Sequence, residues 1–341
     1  MPGRSALSEE IYPLTFTPAL RHYMWGGRRL ETLYGRALPP GIVAESWEIS
    51  GHSTAATPSD SGYWAGQPLP HILAELGERL VGTRAGWALS RGRFPLLVKL
   101  LDAHHDLSVQ VHPDDAYALE HEGGELGKTE MWYVLHADPG TELILGVQPG
   151  TTREAFRKAL ESGQLADVLR RIPIAAGDAI AVPAGTVHAL LAGAVVTEIQ
   201  QNSDATYRVY DWGRVDAYGK PRPLHVEKAL NVIDYEAAPD VVKPRLLAAQ
   251  AGLTHSELVR NRYFVVERVA LAPGAVFGGY CDGGTLEIWG CMAGQVSIRW
   301  AGKPVTLPAV RYVLLPAVLG EFQVAAEASS VCLRIYLPED A

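Results

Sequence analysis

Cysteine is scarce in this chain: only Cys281, Cys291 and Cys332 occur among 341 residues, all in the last quarter. An odd number without C-x-x-C spacing supports neither a disulfide framework nor a zinc knuckle, so the three are read as reduced core residues. Long hydrophobic runs are also missing. No stretch approaches the roughly 20 apolar residues that a membrane span requires. Residues 1–13 carry acids where a secretory signal would have its apolar segment. A cytoplasmic protein with no membrane partner is therefore expected. Positive charge is the third deficit. Lys and Arg number 30 against 38 Asp and Glu, a formal net charge of −8, so no bulk field draws nucleic acid. An anionic ligand would need a local group of basic side chains.

Turn residues, by contrast, are plentiful. The 34 glycines and 23 prolines, in a chain that is 48% apolar, describe many short strands joined by tight turns around a sizeable core. The length exceeds that of an ordinary single domain, which predicts two packed units or one enlarged by an insertion. Residues 44–49 alternate as a half-buried strand does, with Glu45 and Glu48 either on its solvated face or close to a site. Residues 94–101 form an almost continuous apolar run broken by Lys99, a strand buried on both faces whose lysine must reach water or an anion. Helical pieces are expected in two places. Within about residues 63–92, Ile72, Leu73, Leu76 and Leu80 recur at three- and four-residue intervals; over residues 151–171, Thr152 provides a cap and Glu154 an early acid. Pro113, Asp114 and Asp115 open a further short helix.

A weak internal repeat links Gly177-Asp-Ala-Ile-Ala-Val-Pro183-Ala184 to Val310-Arg-Tyr-Val-Leu-Leu-Pro316-Ala317. The expected fold is mainly β: two cupin-like jelly-roll β-barrel modules with a small helical insertion, a catalytic module over residues 1–245 and a second over residues 246–341.

The most specific short motif is Gly177-x5-Pro183-x-Gly185-x2-His188, whose spacing matches a cupin signature. Gln110 and His112 stand two apart on a strand and so share a face. Glu130, at the start of the next strand, adds a carboxylate. Two imidazoles, a carboxylate and an amide oxygen with one position left open suit Zn²⁺ or another divalent first-row metal in a catalytic site. His22, His71, His121 and His255 read as structural or surface histidines, and His104 and His105 as a loop or rim pair. The second module lacks the set: five residues past Pro316, where His188 would fall, stands Glu321. One metal is expected.

These residues carry a resemblance. Trp25-Gly-Gly, Gly41-Ile-Val-Ala-Glu-Ser-Trp-Glu-Ile-Ser-Gly51, Pro95-Leu-Leu-Val-Lys99, Leu107-Ser-Val-Gln-Val-His-Pro-Asp-Asp115, Gly127-Lys-Thr-Glu-Met-Trp-Tyr133, Val182-Pro-Ala-Gly-Thr-Val-His188 and Gln200-Gln-Asn-Ser-Asp-Ala-Thr-Tyr-Arg-Val-Tyr-Asp211 resemble the type I mannose-6-phosphate isomerases of short bacterial form. The resemblance implies a zinc-dependent, reversible interconversion of mannose 6-phosphate and fructose 6-phosphate, small-molecule sugar phosphates, through a metal-stabilised enediolate; the sequence leaves monomer and homodimer both open. It puts the metal ligands on Gln110, His112, Glu130 and His188, an active-site arginine on Arg208, and pocket residues on Lys99, Ser108 and Lys128. Met131, where a cysteine is often seen, and Ala205, where a threonine is common, depart from the family pattern. Lys128 shares a strand face with Glu130, so it is expected either to move the C2 proton or to pair with the phosphate. Arg208, whose rigid fork is a poor base, would pair with phosphate or with the charge of the transition state. An iron oxygenase of the same fold would more often use two histidines and one carboxylate without the glutamine.

Overall fold

A computed structural model describes residues 10–215 and 218–339. The chain makes two compact units. The central unit comprises Leu20–Ser46 and Val98–Val242; the terminal unit comprises Met1–Ala19, Trp47–Leu97 and Lys243–Ala341. The chain therefore passes between units more than once, whereas the sequence division at 245/246 cuts it once.

The central unit is built on two sheets. One runs Ala19–Arg21, Glu45–Ser50, Leu96–Ala103, Ala194–Gln201, Glu130–Ala137, Ala179–Val182 in spatial order. The other runs Tyr207–Tyr210, Val109–Val111, His188–Leu190, Glu142–Val147, Leu169–Pro173. Leu96–Ala103 and Ala194–Gln201 are buried along their whole lengths, as near-continuous apolar runs require. Leu101, Trp132, Val134, Leu145, Ile180 and Val196 interdigitate in the core.

The terminal unit repeats this plan. Its larger sheet runs Arg245–Gln250, Leu253–Arg260, Val265–Leu271, Ser330–Tyr336, Glu287–Ala293, Arg311–Leu315; its smaller one runs Val276–Cys281, Gly320–Ala326, Gln295–Arg299, Val305–Pro308. All four sheets are open rather than closed barrels, because each ends in edge strands instead of pairing first strand to last. The three cysteines are buried and unbridged.

Strand register shows what the weak repeat means. Glu198 faces Trp132 across the central unit's strands, and Arg334 faces Trp289 in the terminal unit. Glu130 pairs with Val182, just before Pro183; Glu287 pairs with Leu315, just before Pro316. Gln110 pairs with His188, and Gly279 with Phe322. The Trp132 ring meets His188 edge-on at 5.4 Å, and Trp289 meets Phe322 edge-on at 6.1 Å. In the terminal unit, then, Glu287 stands for Glu130, Phe322 for His188 and Gly279 for Gln110. Phe322, not Glu321, takes the histidine's place, a one-residue correction to the count from Pro316. Inward and outward residues alternate along a strand, so Glu321 lies on the exposed face. Gly279 and Phe322 offer no donor atoms, and a Cβ on Gly279 would sit 2.2 Å from Phe322 Cζ: the ring fills the space that the missing side chain leaves.

The helices are short. Leu69–Leu76, Glu78–Val81 and Gly86–Leu89 account for the first insertion, with Leu69, Ile72, Leu73, Leu76 and Leu80 buried. The segment around them is stitched to a turn between two C-terminal strands of the same unit: Val81 O accepts from Leu286 N, Gly283 O from Thr83 N and Gly284 O from Arg84 N. Asp115–His121 is capped by Asp114, which accepts from Tyr117 N at 2.9 Å. The second insertion is shorter than expected. Its helix is Arg153–Glu161 rather than residues 151–171, ended by Gly163 at φ 72°, and Leu169–Pro173 is a strand paired with Glu142–Val147. None of the helices among the described residues is long and apolar enough to cross a membrane.

Candidate active site

Three of the four expected ligands come together in the central unit. His112, Glu130 and His188 are buried, and a ligating atom from each lies within 4.8 Å of the others. Backbone carbonyls set both rings: His112 Nδ1 donates to Ala205 O at 2.9 Å, and His188 Nδ1 donates to Thr186 O at 2.9 Å. Each Nε2 lone pair is thereby left for the interior. Because it is the Ala205 carbonyl that acts, alanine there in place of threonine costs the site nothing. His112 Nε2 lies 3.5 Å from Glu130 Oε2, and His188 Nε2 lies 3.3 Å from Glu130 Oε1. Gln110, the fourth, places its amide 3.2 Å from His188 Nε2; a half-turn of that amide presents Oε1, an oxygen donor, at the same point. The turn that delivers His188 requires Gly185, whose φ is 86° and whose N–H donates to His112 O at 2.9 Å.

This arrangement fits a divalent cation. Neither oxygen of the buried Glu130 carboxylate accepts a hydrogen bond of regular geometry, a costly state that a bound cation would relieve. Lys128 Nζ supplies the nearest positive charge, 2.8 Å from Glu130 Oε2 and 3.1 Å from His112 Nε2. Burial pushes Glu130 up to about 7, with Lys128 opposing and Glu198 adding to the rise. Burial lowers His188 to about 4 and holds His112 well below its ordinary value, Lys128 adding to both effects. Both imidazoles are therefore neutral near pH 7, as ligation demands.

A cavity of about 310 Å³ opens beside the cluster, lined among others by Lys99, Ser108, Gln110, Lys128, Glu198 and Arg208. All the basic residues expected at the site thus face one space. Glu45 lines it too. Sequence reasoning missed Glu198 and Arg222, which also border the cavity. Glu198 is the anion that the buried Lys99 needs: Nζ and Oε1 are 3.2 Å apart, and Trp132 Nε1 donates to Glu198 Oε2 at 2.9 Å. Burial would raise Glu198, but Lys128, Lys99 and the Trp132 hydrogen bond hold it down to about 2. Burial would likewise lower Lys99, yet Glu198 and Glu45 lift it above the ordinary lysine range. The requirement that a buried lysine find an anion pointed to such a partner without naming it. His104 and His105 meet edge-on, with ring centroids 4.7 Å apart, and His255 binds Glu267 in the terminal unit.

Comparison with known proteins agrees with this geometry. Residues 14–156 match the family model for the phosphomannose isomerase type I catalytic domain. A probable mannose-6-phosphate isomerase of Bacillus subtilis is 40% identical over 92% of this chain and 96% of its own length. The mannose-6-phosphate isomerase of Streptococcus mutans is 41% identical over 74% of this chain and 77% of its own. The crystal structure of a mannose 6-phosphate isomerase from Bacillus subtilis superposes with a TM-score of 0.84 at 33% identity, covering 95% of this chain and 99% of that one. On the strength of near-full-length relatives and of a pocket with the chemistry they call for, the chain belongs to the type I phosphomannose isomerases, aldose–ketose isomerases that act on mannose 6-phosphate.

Proposed function

We propose that Gln110, His112, Glu130 and His188 hold one divalent ion, Zn²⁺ by the preference of this donor set, and that the neighbouring cavity interconverts mannose 6-phosphate and fructose 6-phosphate. The observation that carries this reading is the buried Glu130 carboxylate, ion-paired with Lys128 but accepting no hydrogen bond of regular geometry, beside a cavity lined by Lys99, Lys128 and Arg208. A divalent ion there supplies Lewis-acid stabilisation of the negative charge that builds on substrate oxygen, worth several kcal/mol of barrier. The remaining work falls to the chain. Lys128 lines the cavity with Nζ against the ligands, which suits it to carry the proton between C2 and C1. Glu198 contacts both lysines, at 3.2 Å from Lys99 and 3.9 Å from Lys128, and so orients the pair. Lys99 and Ser108 hold the sugar, and Arg208 faces its anionic part.

All of these residues precede residue 245, so catalysis belongs to the module over residues 1–245, with residues 246–341 a metal-free companion. The exchange of successive strands between two facing sheets supports a jelly-roll description of each module. A doubly charged substrate that does not cross bilayers and unbridged cysteines support a cytoplasmic location.

The test is a coupled assay for fructose 6-phosphate formed from mannose 6-phosphate, with and without chelator. Turnover that chelator abolishes and added Zn²⁺ restores is expected. Turnover indifferent to thorough metal removal would overturn the metal assignment; none at all would overturn the function.

A further inference from the structure

Gln200, Gln201 and Ser203 are fully buried polar residues at the end of a central-unit strand, and none of them lines the cavity. Gln201 closes the strand Ala194–Gln201, and residues 202–206 lead on to Tyr207–Tyr210 without joining a sheet. Ala205, whose carbonyl accepts from His112 Nδ1, lies in that irregular connection. No strand ladder fixes the carbonyl, so its position must come from side chains.

Ser203 supplies the nearest hold. Its hydroxyl donates to Leu126 O at 2.7 Å and accepts from Ala205 N at 3.3 Å. Gln200 pins the turn beneath it, Nε2 donating to Gln201 O at 2.8 Å and to Ser203 O at 2.6 Å. Gln201 ties the turn to both ligand-bearing segments. Its Oε1 accepts from Thr129 N at 2.9 Å, beside Glu130, while its Nε2 donates to Asp115 Oδ1 at 2.9 Å, three residues after His112. Gly127 N donates to the same Asp115 oxygen at 2.8 Å. Burial excludes water from Ser203 and Gln201, so a bond removed here is not replaced by solvent.

We infer that Ser203 is a positioning residue of the metal centre: by holding the Ala205 carbonyl it aims His112 Nε2 at the ion, and Gln201 keeps that aim in register with Glu130. The inference rests on the metal reading above and deepens it. It gives the buried Gln-Gln-Asn-Ser stretch a task apart from substrate contact, since a ligand imidazole is oriented by whatever its second nitrogen bonds to.

The experiment uses the full chain with Zn²⁺, its dissociation constant measured by competition with a chromophoric chelator, and with Co²⁺, whose visible absorption bands report ligand geometry. In Ser203→Ala the Zn²⁺ dissociation constant is expected to rise about tenfold and the Co²⁺ bands to shift. The same substitution made in His112→Ala should change the Zn²⁺ constant little, because the residue acts through His112. Ser203→Cys, close in size and a weaker donor, should fall between parent and alanine, and carries the test if Ser203→Ala does not fold. Gln201→Glu, which keeps the Thr129 contact and repels Asp115, should shift the same bands. Unchanged affinity and bands in the Ser203 variants overturn the inference, as does an equal loss with and without His112, which would mark a merely structural role. Unshifted bands in Gln201→Glu overturn the part given to Gln201. A parent chain that binds no Zn²⁺ overturns the metal reading, and nuclear magnetic resonance of the metal-free chain then decides the positioning separately. A His112 Nδ1–H slow to exchange in the parent and fast in Ser203→Ala would support it; equal exchange in both would overturn it.

Discussion

A buried carboxylate that accepts no hydrogen bond of regular geometry is expensive, and Glu130 is in that position, with the Lys128 ammonium as its nearest charge and two imidazole nitrogens facing it. Replacing it tests whether a cation is what it serves. Glu130→Gln keeps the shape and removes the charge; metal affinity should fall by about a hundredfold or more, since even a partner behind a ligand is worth ten- to hundredfold. Equilibrium dialysis with metal analysis would read this, and full metal retention would sink the ligand role. At this scale the sequence was legible wherever a local rule applied. Gln110 and His112 share a strand face because they are two apart, and His188 follows a turn that demands Gly185. Lys99 drew notice as a charge inside an apolar run. Glu198 escaped because its meaning lies in Lys99 and Trp132, which reach it across neighbouring strands. Arg222 escaped because nothing near it in sequence sets it apart from other surface arginines.

Among the elements, the helix Arg153–Glu161 shows how a correct pattern misleads. Leu165, Val168, Leu169 and Ile172 continue at helical intervals, so the periodicity favours carrying the helix to Arg171. Gly163, in left-handed backbone, stops it, and pairing of Leu169–Pro173 with Glu142–Val147 decides the rest. The repeat between modules was legible only as Gly177–Ala184 against Val310–Ala317. Even there Val310 stands at φ 51°, where Gly177 stands at φ 95°, an uncommon conformation for a β-branched residue. The functional part of the duplication emerges only from register, since Gly279 and Phe322 bear no chemical likeness to Gln110 and His188. Their mutual fit makes a prediction. Gly279→Ala pushes a methyl into the Phe322 ring and should cost about 1–3 kcal/mol. Adding Phe322→Leu should cost less in that background than in the parent chain. Urea titrations of the four proteins would show the coupling, and strict additivity would refute the packing assigned to the pair.

For the molecule as a whole, a formal charge of −8 coexists with a cavity in which Lys99, Lys128, Arg208 and Arg222 outnumber Glu45, Glu198 and Asp204. An acidic protein can therefore hold an anionic substrate by concentrating its few basic groups in one place. The metal ligands all lie in the central unit, so a bound ion should protect that unit. At free metal one hundred times its dissociation constant, linkage predicts about 2.7 kcal/mol of added stability. Differential scanning calorimetry with and without chelator should therefore show a transition that moves down on metal removal. A profile identical in both conditions would contradict a site formed only in the native state. The threading of the chain has a further bearing, on the order of events during synthesis. Residues 47–97 emerge from the ribosome early, but the turns to which residues 80–84 are hydrogen-bonded, around Gly283, Leu286 and Ala317, are made almost last. The backbone of residues 80–84 must therefore wait for these partners while some two hundred residues are added, and a chain halted near residue 245 should need a chaperone to stay soluble.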